Sequence, residues 1–308
     1  MADLGIEFGT AICYSGYREG QSPNGVFPSP GDIREDLRIL EGQWDYLRLY
    51  DSGPHADLVL EAIRAEGFDF QVLLGSDVGA ELSNPGCPWG ADYRASELLD
   101  NRKANDAQID RMIDLAIEYR DIVCAVSVGN EATVDWTDHL VPVERLISFV
   151  RRIRDRVDVP ITFCENYVPW VGKLEPLAAE LDFLSVHSYP VWEYRRVENG
   201  MAYSIENLRH VANHYPDKPV IITEAGWTTN SNGRGIDPHN ASEEFQAQYC
   251  SDLLEWSHRE QVLAFVFEAF DEPWKGSPDP MEPEKHWGVY TVDRTPKLWT
   301  QGQFAQTG

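Results

Sequence analysis

Positive charge is the scarcest ingredient of this 308-residue chain: 26 lysines and arginines face 51 aspartates and glutamates, a formal net charge of −25. Such a field repels polyanions, so nucleic acid, anionic membrane surfaces and acidic polysaccharides are excluded as expected partners. Cysteines are few and scattered: Cys13, Cys87, Cys124, Cys164 and Cys250 form no CxxC pair and have no histidine pair nearby at metal-ligand spacing. That excludes a disulfide framework and leaves no metal site to expect. No window approaches the roughly 18 apolar residues that cross a bilayer. The opening Met-Ala-Asp-Leu-Gly-Ile lacks the basic-then-apolar order of an export signal, so none is expected in this stretch. Gly5, Gly9 and Gly16 do not have the spacing of a phosphate-cradling loop, and no linker rich in proline, glycine or serine divides the chain. One domain over residues 1–308 is expected.

What is present is a repeating unit. Short apolar runs recur at Ile6–Ile12, Trp44–Tyr50, Phe70–Gly75, Ile122–Val128, Val159–Cys164, Leu181–His187, Pro219–Thr223 and Val262–Phe267. Amphipathic stretches with helix signals lie between them, among them Ser29-Pro30-Gly31-Asp32 leading into the first and Gly67 closing the second. Strand and helix in alternation imply parallel strands with right-handed crossovers. Eight such units close into an α/β single (β/α)8 TIM barrel, in which chemistry sits where strands end and the following loops begin.

Two carboxylates stand at such ends. The fourth strand runs out through Gly129-Asn130-Glu131, and the seventh through Thr223-Glu224-Ala225. A pair of acids on nearly opposite strands suits cleavage of an acetal, one protonated to give a proton to the departing oxygen, the other ionised to attack the sugar carbon. A separation of about 5 Å would mean retention of configuration. With 51 acids present, a solvated loop carboxylate is the competing explanation for either one. Asn130 is placed to bond a sugar hydroxyl. Tyr189, after the sixth strand, offers a phenol to hold Glu224 ionised, although Tyr189 and His187 equally fit ordinary packing. Trp170, Trp192, Trp227, Trp274 and Tyr50 all follow strand ends. Their faces match the CH faces of pyranose rings, and a neutral sugar suits an acidic chain.

The segments VGNEATVDWTDH, ITEAGW, FEAFDEPWK and KHWGVY, with ICYSGYREGQSPNG, LRLYDSG and SVHSYPVW, resemble the bacterial and fungal branch of glycoside hydrolase family 17, over about residues 6 to 298. The resemblance implies a (β/α)8 barrel, retaining chemistry, β-1,3-linked glucan of the laminarin type as polysaccharide or oligosaccharide substrate, and no cofactor. It implies Glu131 as acid/base and Glu224 as nucleophile. Glu272 and Lys275 would line the donor site, and Tyr50, Asn130, Tyr189 and Trp227 would surround the reacting sugar. Plant members read Glu-Ser/Thr-Gly-Trp-Pro-Ser at the nucleophile; here Ala225 follows Glu224 and Thr228-Thr229 replace Pro-Ser. Internal cleavage by a monomeric hydrolase is expected, with a β-1,3-glucanosyltransferase using the same two glutamates as the alternative and a non-catalytic glucan binder as a third class. The segments Gly79–Tyr93 and Gly276–His286 are the ones expected to wall the cleft. Because such enzymes work on external glucan, a secreted or periplasmic location is expected.

Overall fold

A computed structural model describes residues 1–303. Eight parallel strands close a barrel in chain order: β1 (Ala11–Cys13), β2 (Tyr46–Leu49), β3 (Gln71–Leu74), β4 (Val123–Asn130), β5 (Ile161–Asn166), β6 (Leu184–Ser188), β7 (Val220–Ala225) and β8 (Ala264–Val266). Helices α1 (Pro30–Leu40), α2 (Pro54–Glu66), α3 (Ala95–Glu118), α4 (Val143–Arg154), α5 (Glu175–Glu180), α6 (Val197–His214) and α7 (Glu243–Glu260) cover it, and α8 (Leu298–Gln303) packs on α7. The expected (β/α)8 barrel is what the chain forms.

The strands are read so easily in sequence because both faces are buried, one against the helices and one inside the barrel. Leu47, Val126, Phe163, Val186 and Ile222 are all fully buried. Helix starts follow local chemistry. Ser29 caps α1 by accepting from Asp32 N at 3.1 Å while the Asp32 carboxylate accepts from Ser29 N at 2.8 Å. Ser242 caps α7 more simply, its hydroxyl accepting from Phe245 N at 3.2 Å. Gly67 ends α2 at φ 75°, where a side chain would strain the turn.

Several boundaries differ from the sequence pattern. The first strand begins at Ala11, not Ile6, because Thr10 N and Oγ1 are taken by the Asp45 carboxylate at 2.7 and 2.9 Å. Helix α3 starts at Ala95, where the Glu97 carboxylate accepts from Arg94 N at 2.8 Å. β8 is only three residues long, yet Phe267 N donates to Ala225 O and Ala269 N to Cys13 O, so the segment after it still closes β7 to β1. There the Phe267–Glu268 peptide is cis, and a Cβ on Gly226 would meet Phe267 O at 2.1 Å, so only glycine permits the approach.

Candidate active site

The C-terminal mouth of the barrel opens into a cavity of about 1240 Å³. Of the sequence-expected residues, Tyr50, Asn130, Glu131, Tyr189, Trp192, Glu224, Glu272, Trp274 and Lys275 line it. Trp170 and Trp227 do not, a correction to the expected sugar contacts. Both are fully buried. Trp170 Nε1 donates to Ser185 O at 3.2 Å, and Trp227 Nε1 to Asn240 O at 2.7 Å, with its ring against Tyr249 at 5.4 Å. Trp227 lies against α6 and α7, whereas the Trp170 ring meets Phe163 of β5 edge-on at 6.1 Å, and in both the area and the N–H are satisfied away from the cavity.

Glu224 ends β7 almost enclosed. Arg48 Nη1 on β2 reaches across the barrel to its Oε1 in a very short contact, and Tyr189 OH donates to Oε2 at 2.5 Å. Arg48 also donates to Thr223 O at 3.1 Å and to Asn130 Oδ1, joining the two acid-bearing strands. Burial pushes the Glu224 pKa up, but the His187 and Arg48 cations and the Tyr189 and Arg48 hydrogen bonds outweigh it and hold it down at about 2. The carboxylate is therefore ionised and aimed by two hydrogen-bond donors, the state a nucleophile needs.

Glu131 leaves β4 on a left-handed residue, φ 43°. Such a conformation in a non-glycine residue is strained and persists only where the surroundings hold it. They do: Glu131 N donates to Cys164 O at 2.9 Å, while Thr133 N and Oγ1 both donate to the buried Glu165 Oε2, at 2.9 and 2.6 Å. On the other side His139 Nε2 bonds Asn130 O at 2.8 Å and its Nδ1 meets Asp138 at 2.7 Å; burial works against the imidazolium, but these partners raise its pKa to about 9.

Between the two glutamates stands His187 of β6. Its Nδ1 is 2.9 Å from Glu131 Oε1 and 3.3 Å from Glu224 Oε2, and these donor atoms lie within 4.8 Å of one another. Three such groups have the composition of a small metal site. Burial disfavours the imidazolium, yet Glu224, Cys164 and Glu131 raise its pKa to about 10, so a proton already supplies the cation between them.

On the opposite rim, four strands round from β4, the segment after β8 carries Glu268, Glu272, Trp274 and Lys275. Lys275 Nζ contacts Glu268 at 3.0 Å and Glu272 still more closely, and Trp274 Nε1 donates to Glu272 at 2.9 Å. Burial and the neighbouring Glu272 charge push Glu268 well above the usual carboxylate range, whereas Lys275 holds Glu272 below it. Tyr189, Phe267 and Trp287 pack edge to face beneath, with centroids 5.0 to 5.7 Å apart.

Arg48, Glu165 and Glu268 were not singled out by sequence reasoning. A signal existed for each: a charge inside or at the end of an otherwise apolar parallel strand, where an unpaired ion is too costly to keep.

With this geometry in place, the comparisons decide the family. Residues 11–288 match the model of the BtgE/BtgC glycoside hydrolase domain. The chain belongs to that family. Membership agrees with the family 17-like resemblance of its motifs. Among named relatives, a glucan 1,3-beta-glucosidase of Arthroderma benhamiae is 25% identical over 293 residues, 90% of this chain and 86% of the relative. A probable glucan endo-1,3-beta-glucosidase btgC of Aspergillus flavus is 25% identical over 289 residues, 87% of this chain but 39% of the relative. Among solved structures, an endo-laminarinase from Formosa Hel1_33_131 superposes with TM-score 0.78 at 26% identity, covering 94% of this chain and 85% of that one. A glycoside hydrolase family 17 beta-1,3-glucanosyltransferase from Rhizomucor miehei shares the fold, with TM-score 0.72 at 22% identity and coverage of 94% and 95%. The BtgE/BtgC domain thus supplies the barrel, and the two glutamates at its mouth fit the hydrolase chemistry of its description.

Proposed function

We propose that this BtgE/BtgC domain hydrolyses β-1,3-glucan of the laminarin type by internal cleavage with retention of configuration, Glu224 acting as nucleophile and Glu131 as acid/base. The observation that carries it is the approach of a Glu131 oxygen to a Glu224 oxygen within 4.8 Å. Retaining pairs stand about 5 to 5.5 Å apart, whereas inverting pairs leave about 6.5 to 9.5 Å for a water between them. In the first step a Glu224 oxygen forms a bond to the anomeric carbon while Glu131 passes its proton to the departing glycosidic oxygen. In the second, Glu131 takes a proton from water, whose oxygen displaces Glu224 and leaves a β-product. Asn130, Tyr50 and Tyr189 surround the reacting sugar, and Trp192, Glu272, Trp274 and Lys275 hold the rest of the chain. The names of the relatives above support the glucan substrate. No helix among the described residues is long and apolar enough to cross a membrane. The polymer substrate does not enter cells, so the enzyme acts as a secreted or periplasmic monomer.

Proton NMR of the anomeric signal formed first from laminarihexaose tests this. The β-anomer should appear before mutarotation. Glu131→Gln should lose about 10²- to 10⁴-fold in turnover. Glu224→Ala should lose turnover entirely and regain it with azide as an external nucleophile. An α-anomer first, or an active Glu224→Ala, overturns the assignment. Products longer than the substrate at low concentration would instead favour glucanosyl transfer through the same intermediate.

A further inference from the structure

We propose that His139, paired with Asp138, is a positioning residue for the proton transfer: it holds the carbonyl of Asn130 and so keeps the next residue, Glu131, turned toward the departing oxygen. The inference rests on the reading of Glu131 as acid/base. It adds a residue outside the cavity lining, since Asn130, Glu131 and Asp138 face the cavity and His139 does not.

The first observation is how the ring reaches its partner. Residues 131–142 connect β4 to α4, and they double back on themselves. Thr137 N donates to Val134 O at 3.2 Å, His139 N to Thr137 Oγ1 at 3.3 Å and Val141 N to Ala132 O at 2.9 Å. His139 thereby returns to Asn130, nine positions earlier, with its Nε2 2.8 Å from the carbonyl oxygen. The loop is also pinned from outside. Asn84 Nδ2 of the β3–α3 loop donates to Asp135 O at 2.9 Å and Thr137 O at 2.8 Å, and Tyr93 OH donates to Asp138 O at 2.7 Å.

The second is the charge that these contacts demand. A carbonyl oxygen and a carboxylate can only accept, so a ring bonded to Asn130 O through Nε2 and to Asp138 Oδ1 through Nδ1 carries a hydrogen on each nitrogen. It is an imidazolium. Burial disfavours that charge, yet Asp138 from its own loop, the Asn130 carbonyl and Asp77 from the loop after β3 raise its pKa to about 9. The same bond holds the Asp138 carboxyl below its ordinary range. A charged donor grips the carbonyl more firmly than a neutral one.

The third is what the carbonyl controls. Asn130 O and Glu131 N belong to one peptide unit, and the plane of that unit goes with the left-handed φ of 43° at Glu131. Both edges of the plane are held: Glu131 N donates to Cys164 O at 2.9 Å, and His139 takes the carbonyl. Releasing the carbonyl lets the unit rotate and the strained turn relax, which swings the Glu131 carboxyl off its line. Asn130 itself stays in place, because Arg48 donates to its Oδ1. His139 thus acts on the proton step and not on the grip on the sugar.

The test pairs two substrates on the whole protein. Laminarihexaose needs a proton on its departing oxygen, whereas dinitrophenyl β-laminaribioside releases a stable phenolate without one. His139→Ala, and His139→Met, which fills the space without a donor, should each lower kcat/KM for the hexaose about 10- to 100-fold, the effect of a misplaced catalytic group. Both should leave kcat/KM for the dinitrophenyl substrate within about twofold of the wild type, since its first step needs no acid. On that substrate kcat should fall, because water still needs Glu131 as base, and azide, which needs no base, should restore it. His139→Gln, whose amide N–H reaches the same carbonyl, should stay within about fivefold of the wild type on the hexaose, the difference between a charged and a neutral hydrogen bond. Equal losses on the two substrates would show a merely structural role and overturn the inference. An unchanged hexaose rate in the alanine and methionine variants, or a glutamine variant no better than alanine, would do the same. Glu131→Gln separates this from failure of the underlying reading: if it too loses both substrates alike, the acid/base assignment fails and the inference falls with it.

Discussion

His187 Nδ1 stands 2.9 Å from Oε1 of Glu131, and the same nitrogen is 3.3 Å from Oε2 of Glu224. One imidazolium therefore hydrogen-bonds Glu131 and stands as a charge beside Glu224, two carboxylates whose charges change in opposite phase during a retaining cycle. Glu224 is anionic at rest and neutral as an ester, when Glu131 must be anionic to accept a proton from water. The His187 charge does more than any other neighbouring charge to hold Glu224 near 2 against burial. Replacing it with Phe removes that cation, so the Glu224 pKa rises and the acidic limb of kcat/KM against pH moves to higher pH. Activity at pH 6 should fall about 10- to 100-fold, the value of a hydrogen bond to a charged group. A pH profile of His187→Phe with an unmoved acidic limb would refute the charge role.

Glu165 gives a second pH effect, on stability. Burial, reinforced by the Glu131 charge, raises its pKa to about 7, although Thr133 and Asn166 donate to it. A carboxyl group raised in the folded state binds its proton more tightly there than when unfolded. Its favourable contribution is complete below the unfolded value of 4.5 and is lost as pH rises through about 7. Glu165→Gln cannot titrate and keeps an oxygen for Thr133. The fall in Tm between pH 5 and pH 8 should be smaller in the variant than in the wild type, and equal slopes by calorimetry would count against this assignment.

How far the sequence could lead is clear from these residues. The barrel was legible because parallel strands buried on both faces are written as apolar runs, and Glu131 and Glu224 were legible because each breaks such a run at its end. Arg48 also breaks one, but its partner Glu224 lies 176 positions later, across the barrel, and nothing local names it. Trp170 and Trp227 fail for a related reason. An aromatic residue at a strand end fits either the cleft or the core, and Trp227 turned inward only because Gly200 of α6 leaves room for its ring beside Tyr249 of α7. Trp89 and Trp136 lie in loops with no periodicity, so only the folded chain brings them to the cavity.

The packing of the N- and C-terminal parts predicts a large stability effect. Asp36 of α1 is fully buried and accepts from Arg294 Nε and Nη2, both at 2.7 Å, from Arg18 Nη2 at 2.8 Å and from Tyr14 OH at 3.1 Å. Asp36→Ala leaves the almost buried Arg294 without its counter-ion. The loss should be about 3 to 5 kcal/mol in urea unfolding, as for other broken buried pairs. Exposed Arg38 and Glu66, 2.9 Å apart, provide the contrast: Glu66→Ala should shift the midpoint little. Similar shifts in the two variants would deny the buried network its special weight.

The charge of −25 predicts opposite salt responses for folding and for catalysis. Between about 0.01 and 1 M salt the screening length shrinks from roughly 30 to 3 Å. Repulsion among the surplus acids is then suppressed, while the exposed ion pairs that salt also weakens contribute only about 0 to 1 kcal/mol each. The surplus outweighs them, so Tm should rise with NaCl and level off once screening is complete, a course that distinguishes screening from the continuing rise that sulfate gives by exclusion. The substrate carries no charge, so KM for laminarin should stay constant over the same range. Thermal scans and initial rates across one NaCl series check both halves. A Tm that falls with salt would mean that the ion pairs dominate, and a KM that tracks salt would mean that the acids at the cleft bind something other than a neutral glucan.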